Sequence, residues 1–406
     1  MPRITNIEVA RKNLPLRITL LILALVIAFT AFGYGISELL TTDPGWKEIE
    51  VNSTTLNCSE DFSLNYNLGA GQTDATTENK ALITLYSTIA EKAYQLFNND
   101  YASTELQNIR YVNEHINEAI TVDPALHKAL SAIVKAENRS IYLAPVYAEY
   151  SALFLSQSDV EAAQNDPARQ PDTQAFISAA AGFANDPAMI NLEIIDSQTV
   201  RLTVAQAYLD FAVEYGIENF LDFSWMKNAF IADYIADELI QAGYTNGYIS
   251  SYDGFTRNLM NTDDKFALNL YHRVGTDVYL PAALEYTGGC SLVALRDFPV
   301  TDADRWHYYA FSDGKIASLM LDPATGTQKS AVSAMIGYSV SASCSEILLS
   351  IAPLFIADSL DTAAVNSLTG QGIYTVYPQD KAVYANDPAI SLVLNADLGY
   401  TAKTVE

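Results

Sequence analysis

Cysteine and histidine are scarce in this chain of 406 residues, and neither is arranged for metal binding. The three cysteines, Cys58, Cys290 and Cys344, lie far apart and form no C-x-x-C pair. Neither a zinc site nor a disulfide framework is therefore indicated, although one bridge between two of them stays open. The four histidines, at positions 115, 127, 272 and 307, also lack the spacing of metal ligands, so we expect ordinary surface or core residues there.

Basic residues are few as well, with 23 Lys and Arg against 48 Asp and Glu. Four basic and two acidic residues fall within the first forty positions, which leaves 19 basic and 46 acidic residues, a net charge of −27, on residues 41–406. So negative a surface argues against nucleic acid as a partner. It fits either a solvated acidic surface or a preference for cations and basic partners.

Two common enzyme signatures are incomplete. The segment G-Y-S-V-S at 337–341 lacks the final glycine of a nucleophile elbow and is more typical of a plain strand. The segment G-A-G at 69–71 lacks the third glycine of a dinucleotide-binding loop. Neither pattern therefore predicts an active site.

One long uncharged run stands near the N-terminus, from Ile18 to Ile36. Nineteen helical residues nearly span a hydrocarbon core of about 30 Å. Basic residues precede the run, at Arg3, Arg11, Lys12 and Arg17, which places the N-terminus in the cytoplasm by the positive-inside rule. A cleaved signal peptide is the alternative, but its apolar region is usually only about 7–15 residues long and ends in an A-x-A-like site.

These features predict a single-pass protein of the cell membrane. Its expected parts are a cytoplasmic stub (1–17), a transmembrane helix (18–38), a polar stalk (39–61) and a large domain outside the cytoplasm (62–406). The membrane would be contacted through the N-terminal helix alone.

The large domain shows helical and strand-like patterns in irregular order, which predicts an α+β fold. Helices are expected over Glu78–Phe97, from Asp123-Pro124 to about Ala136, over Thr203–Tyr215 before Gly216, and over Ala229–Ala242 before Gly243. Strands are expected at 266–271, 334–340, 372–377 and 382–384, with a hairpin turn at Asp313-Gly314 and a polar excursion at 157–173.

Three segments carry the most specific pattern. The first is D-F-S-W-M-K-N-A-F-I-A-D at Asp222–Asp233, and the second is L-D-P-A-T-G at Leu321–Gly326. The third follows the strand at 336–341 in one of two registers, either Glu346 with Ser350 or A-D-S-L-D-T at 357–362. In this order they resemble the motifs D-L-G-G-I-A-K-G-Y-A-V-D, H-H-I-I-D-P-R-T-G and A-D-A-L-A-T of the ApbE-type family of FAD:protein FMN transferases.

The resemblance implies a mixed-sheet, ApbE-like (T-fold-like) domain and a magnesium-dependent transfer of FMN from FAD to a threonine of an exported flavoprotein. Asp222 and Lys227 would then lie near FAD, and Asp322 and Thr325 would shape its pocket. Magnesium would be held either by Glu346 and Ser350 or by Asp358 and Thr362. A carboxylate and a hydroxyl one helical turn apart can share one cation, which suits both pairs.

The chain departs from each family motif. Ser224-Trp225 replaces the glycine pair, Asn228 replaces the lysine with Lys227 one position before it, and Ser318-Leu319 replaces the histidine pair. Tyr252-Asp253-Gly254 stands where the family has G-G-D. We therefore expect transferase activity that is low or absent. The alternatives are an inactive protein that binds a flavin nucleotide or another ligand, and a structural or interaction protein.

Overall fold

The computed structural model describes residues 14–51, 55–71, 73–259 and 264–405. The helices α1 to α11 are Leu14–Leu40, Ala75–Phe97, Ile109–Glu114, Pro124–Lys135, Ala144–Phe154, Asp159–Asn165, Pro171–Asn185, Gln206–Tyr215, Lys227–Gln241, Cys344–Phe355 and Thr362–Ser367. The strands β1 to β9 are Gly45–Glu48, Phe62–Leu68, Ala119–Thr121, Ile190–Ile194, Thr199–Val204, Gly247–Ser251, Phe255–Asn258, Lys265–Val274 and Asp277–Thr287. The strands β10 to β17 are Ser291–Arg296, Tyr308–Ala310, Ile316–Ser318, Ala334–Ser339, Tyr374–Gln379, Ala382–Ala385, Ser391–Leu394 and Thr401–Thr404.

The chain divides into two compact units. The smaller comprises the residues up to 47 together with 67–82, and the larger comprises 48–66 and the residues from 83 onward. In the smaller unit the carboxylate of Glu78 accepts a hydrogen bond from the amide of Gly69 at 2.7 Å. Everything that bears on the candidate site below lies in the larger unit.

The larger unit is built on a mixed sheet in the order β2-β6-β7-β10-β13-β14-β15-β17. Neighbouring strands are antiparallel except β15 and β17, which are parallel. All six residues of β13 are buried, as expected for a central strand covered on both faces. The α+β class with a mixed sheet is therefore confirmed.

Two helices pack on this sheet and position the candidate site. Helix α9 contacts β6 and β7, helix α10 contacts β10 and β13, and the two helices contact each other. Gly337 of β13 allows the close approach of α10, because a Cβ there would lie 2.6 Å from Cγ2 of Ile347. Helix α10 is thereby held close to the sheet, and α9 packs against α10.

Most of the expected elements form. Asp123 caps α4 by accepting a hydrogen bond from the amide of Ala125 at 2.8 Å, and Gly216 ends α8 with a φ of +68°. The helix expected from Thr203 begins only at Gln206, because Thr203 and Val204 pair with β4 as the end of β5. The polar excursion at 157–173 contains α6, a short 3-10 helix and the start of α7.

The structure does not confirm the predictions for the N-terminal segments, the transmembrane helix and the polar stalk. Among the residues that the structure describes, no helix has both the length and the apolar character that crossing a membrane requires. The transmembrane helix at 18–38 is thus not confirmed, and the membrane location stays a prediction. The segment expected to be a polar stalk contains β1 and a 3-10 helix at Ser59–Asp61, and it buries Ile49 and Cys58.

Candidate functional site

The start of helix α9 borders a cleft of about 670 Å³, here called the large cleft. Asp222 and Lys227, both predicted from the sequence to lie near FAD, line this cleft together with Ser224. Its walls are rich in aromatic side chains, contributed by Phe97, Tyr147, Phe154, Phe176, Tyr215 and Trp306. A volume of this size lies within the range of typical ligand sites, roughly 300–1,000 Å³.

In the turn before α9, a serine adopts a backbone conformation that is typical of glycine. Ser224 has a φ of +48°, a left-handed conformation that L-residues seldom adopt. The carboxylate of Asp222 accepts a hydrogen bond from the Ser224 amide at 2.7 Å and so holds the turn. The first glycine of the family motif aligns with this position, where Ser224 adopts a backbone conformation that favours glycine.

Trp225 and Asn228, the other two departures in this motif, both point into the protein. Trp225 is only 3% exposed and does not line the large cleft, so its ring does not crowd a ligand there. Asn228 is buried and donates from Nδ2 to Oδ2 of Asp253 at 3.0 Å. The lysine side chain that reaches the cleft is therefore that of Lys227.

Lys227 lies between the large cleft and a smaller one of about 200 Å³, lined by Cys58 and Asp61 among others. Burial raises the pKa of Asp61, and the positive charge of Lys227 partly opposes that rise. Burial also raises the pKa of Asp253 to about 6, again with Lys227 acting in the opposite direction. The ammonium group of Lys227 thus opposes the rise in the pKa of two carboxylates that come from separate parts of the chain.

His307 completes the group around Lys227. It follows a 3-10 helix at Asp302–Trp306 and lines the large cleft. Its carbonyl accepts a hydrogen bond from the amide of Leu319, one of the two positions where the family has histidine. Burial and the Lys227 charge lower the pKa of His307 to about 4, so the imidazole is neutral at physiological pH.

The sequence did not predict three of these residues as site residues. Asp61 was assigned to the stalk, Asp253 belongs to an altered G-G-D turn, and His307 has no motif of its own. Only Asp253 carried a usable signal, because its turn follows the first motif at the family spacing. The other two reach the site through tertiary packing alone.

The large cleft is predominantly acidic. Its carboxylates are Asp100, Glu149, Glu218 and Asp222, while Lys227 is the single Lys or Arg among its described lining residues. Burial raises the pKa of Asp222, although the Ser224 amide and Lys227 partly offset the rise. An anionic ligand would therefore bind next to Lys227 and away from the acidic wall.

Asp322 and Thr325 form a turn outside the lining of the large cleft. The Thr325 hydroxyl donates to Oδ2 of Asp322 at 3.2 Å, and Lys329 approaches the same carboxylate at 2.9 Å. Lys329 also binds Asp358 at 3.2 Å. Burial alone would raise the pKa of Asp322, but the hydrogen bonds from Lys329 and the Ala324 amide lower it.

The two residue pairs predicted to bind magnesium lie outside the lining of the large cleft. Glu346 and Ser350 line a third cleft, of about 520 Å³, with Lys135 and Gln371. Glu346 forms a capping box with Ser343 at the start of α10, and the Ser350 hydroxyl donates to the Glu346 carbonyl. Thr362 begins α11 whereas Asp358 precedes it, so that pair does not share a helix.

The described residues contain no group of three or more His, Cys, Asp or Glu side chains that could hold a metal ion. Of the predicted site residues, Asp222 and Lys227 lie together in the large cleft. Asp322, Thr325 and Asp358 form a separate group around Lys329. Glu346 and Ser350 lie apart from both groups, in the third cleft. The cofactor and metal roles of these residues stay predictions.

Comparison with solved structures identifies the fold. The ApbE protein from Thermotoga maritima superposes with a TM-score of 0.55 over 85% of this chain and 96% of its own, at 12% sequence identity. A variant of the flavin transferase ApbE from Vibrio cholerae gives a TM-score of 0.52 over 87% and 98%, at 14% identity. No protein-family model and no curated protein sequence matches the chain. The ApbE-like fold that the motifs implied is thus confirmed.

Proposed function

We propose that this chain binds FAD in the large cleft and transfers its FMN moiety, slowly, to a threonine hydroxyl of an exported flavoprotein. One observation carries the proposal. Asp222 and Lys227, chosen from the motif alone, line the same aromatic cleft at the start of α9. The fold is that of two ApbE proteins, one of which is described as a flavin transferase.

The transfer needs no covalent bond between the substrate and a side chain of the protein. The threonine oxygen attacks the phosphorus of the FMN half, a new P–O bond forms, and the P–O bond to AMP breaks. Lys227 and the positive end of the α9 dipole would offset the charge of the diphosphate. The aromatic walls would hold the flavin or adenine ring by stacking.

Magnesium is implied by the resemblance, but the side chains present fit it poorly. Glu346 already uses one carboxylate oxygen in its capping box, and Ser350 donates to its own helix. Asp358 is bound by Lys329 and lies on a different segment from the helix of Thr362. We therefore assign no step of the transfer to a metal ion.

FAD binding by the full-length protein tests the proposal. Lys227→Met should weaken FAD binding about tenfold or more, equivalent to about 1.4 kcal/mol, because the diphosphate loses its nearest cation. Lys135→Met is the matched control, since Lys135 lines the cleft beside α10 and not the large cleft. No FAD binding by the wild-type protein would overturn the proposal.

Release of AMP separates a transferase from a binding protein. With FAD and an acceptor flavoprotein, the wild-type protein should release AMP and label the acceptor more slowly than a homologue with intact motifs. Removal of one preorganised electrostatic group commonly costs about 10²–10³ in rate. FAD binding without any AMP release would support the inactive alternative.

The location of the domain is part of the same proposal. The uncharged run at 18–36, preceded by basic residues, supports an anchor in the cell membrane with the large domain outside the cytoplasm. Protease added to intact cells, or to protoplasts where a wall intervenes, should digest that domain. Protection of the domain until lysis would contradict the anchor.

A further inference from the structure

We propose that His307 is a catalytic residue, which accepts the proton of the attacking hydroxyl in the transfer proposed above. The proposal rests on that function and adds a role for a residue outside all three motifs. His307 supplies an imidazole to the large cleft of a chain that has Ser318-Leu319 where the family motif has its histidine pair.

The position of His307 supports this role. His307 lines the large cleft with Ser224 and Lys227, so its ring and the lysine face the same space. Its carbonyl accepts a hydrogen bond from the amide of Leu319 at 3.3 Å, so the main chain of His307 adjoins that of a position where the family motif has histidine.

Burial and the charge of Lys227 keep the His307 ring neutral before a ligand binds. Lys227 disfavours the imidazolium, whereas Asp61 and Asp304 favour it to a smaller extent. A diphosphate beside Lys227 would offset the lysine charge and raise the pKa of His307 towards its ordinary value. Nucleotide binding would thus make the imidazole a better base at the moment when a base is needed.

The proton balance of the step is simple. The threonine oxygen forms its bond to the FMN phosphorus and gives its proton to an unprotonated ring nitrogen of His307. The AMP phosphate leaves with the electron pair of the broken P–O bond. The imidazolium then returns the proton to solvent or to the departing AMP.

Histidine NMR of the full-length protein tests the proposal without requiring turnover. The pKa of one histidine should rise by about one unit or more when ADP is added, and that signal should be missing in His307→Gln. His127→Gln, on α4 and outside the large cleft, is the matched control and should keep the shift. ADP binding that leaves the His307 pKa unchanged would overturn this inference alone, whereas failure to bind ADP and FAD would overturn the proposed function with it.

Kinetics provide the second readout. His307→Gln should slow single-turnover AMP release about 10²-fold or more while changing the Kd for FAD less than about threefold. It should also remove the acidic limb of the pH–rate profile, the fall in rate at low pH that protonation of His307 would cause. An unchanged rate and profile in His307→Gln, with FAD still bound, would show that another group accepts the proton.

Discussion

The side-chain amide of Asn228 donates a hydrogen bond to Oδ2 of Asp253 at 3.0 Å, while the Oδ1 atoms of both residues are buried without a partner in the described structure. Burial raises the pKa of Asp253 to about 6 from an ordinary value of 3.8. The protonated form is therefore the one that this environment favours. The stabilisation it brings is complete below about pH 4 and is lost as the pH rises through about 6.

Asp253→Asn should accordingly stabilise the protein at pH 8, by up to about 3 kcal/mol. The new amide stays neutral and can donate to the unpartnered Oδ1 of Asn228. Urea unfolding of the full-length protein at pH 5 and pH 8 measures the effect, and the variant should show a flatter pH dependence between these values. A lower stability of Asp253→Asn at pH 8 would contradict the assignment.

Asp322→Asn should behave in the opposite way. Burial would raise the pKa of Asp322, but the hydrogen bonds from Lys329, the Ala324 amide and Thr325, with the Lys329 charge, together outweigh burial and lower it. The stabilisation is therefore present above the ordinary pKa and is lost as the pH falls. The substitution should therefore destabilise the protein at pH 8 and have less effect at pH 3. Equal effects at both pH values would mean that the ion pair with Lys329 contributes nothing.

Restoring the two glycines of the first motif, one at a time, should change the free energy of unfolding in opposite directions. Ser224→Gly should raise the free energy of unfolding by about 0.5–1 kcal/mol, because a glycine adopts a φ of +48° without steric strain. Trp225→Gly should lower it by about 3–5 kcal/mol, because it empties a buried site. Denaturant unfolding of both variants is the test, and loss of stability in Ser224→Gly would show that the serine is not strained.

The parts of the fold that were predictable are those set by short-range chemistry. Asp123 before Pro124 fixed the start of α4, and Gly216 fixed the end of α8, because capping depends on neighbours in sequence. The start of α8 was misplaced because Thr203 and Val204 pair with a strand more than ten residues earlier in the chain.

The candidate site was predictable only where a motif marked it. Asp222 and Lys227 were found because both lie, five positions apart, in the segment that resembles the first family motif. Asp61 and His307 lie far from that segment in sequence, and the sheet and its connections bring them to Lys227. The two registers of the third motif could not be distinguished from the letters, because helix caps and metal ligands use the same carboxylates and hydroxyls.

Glu346 provides a sharp test of capping against metal binding. Glutamine also completes a capping box, so Glu346→Gln should keep nearly full stability, whereas Glu346→Ala should lose about 0.5–1 kcal/mol. Any rise in melting temperature that magnesium produces in the presence of FAD should persist in both variants. Loss of the magnesium response in Glu346→Gln would instead restore the metal role that the resemblance implies.

Asp233, the last residue of the first motif, should be highly sensitive to substitution. It is 6% exposed, lies 2.7 Å from Arg257, and accepts hydrogen bonds from the amides of Cys344 and Ser345 at 2.9 and 2.8 Å. The carboxylate thus neutralises a buried guanidinium and caps the start of α10 from a different helix.

Asp233→Asn would leave that guanidinium without its closest counter-charge, and removing one partner of a buried ion pair commonly costs about 3–5 kcal/mol. Asp237→Asn is the matched control, because Asp237 lies one turn later on α9 and is more exposed, so its change should stay within about 0.5 kcal/mol. Urea unfolding gives both values, and amide hydrogen exchange at Cys344 and Ser345 should accelerate only in Asp233→Asn. Equal losses in the two variants would mean that α10 is held by its packing on β10 and β13 and does not depend on this carboxylate.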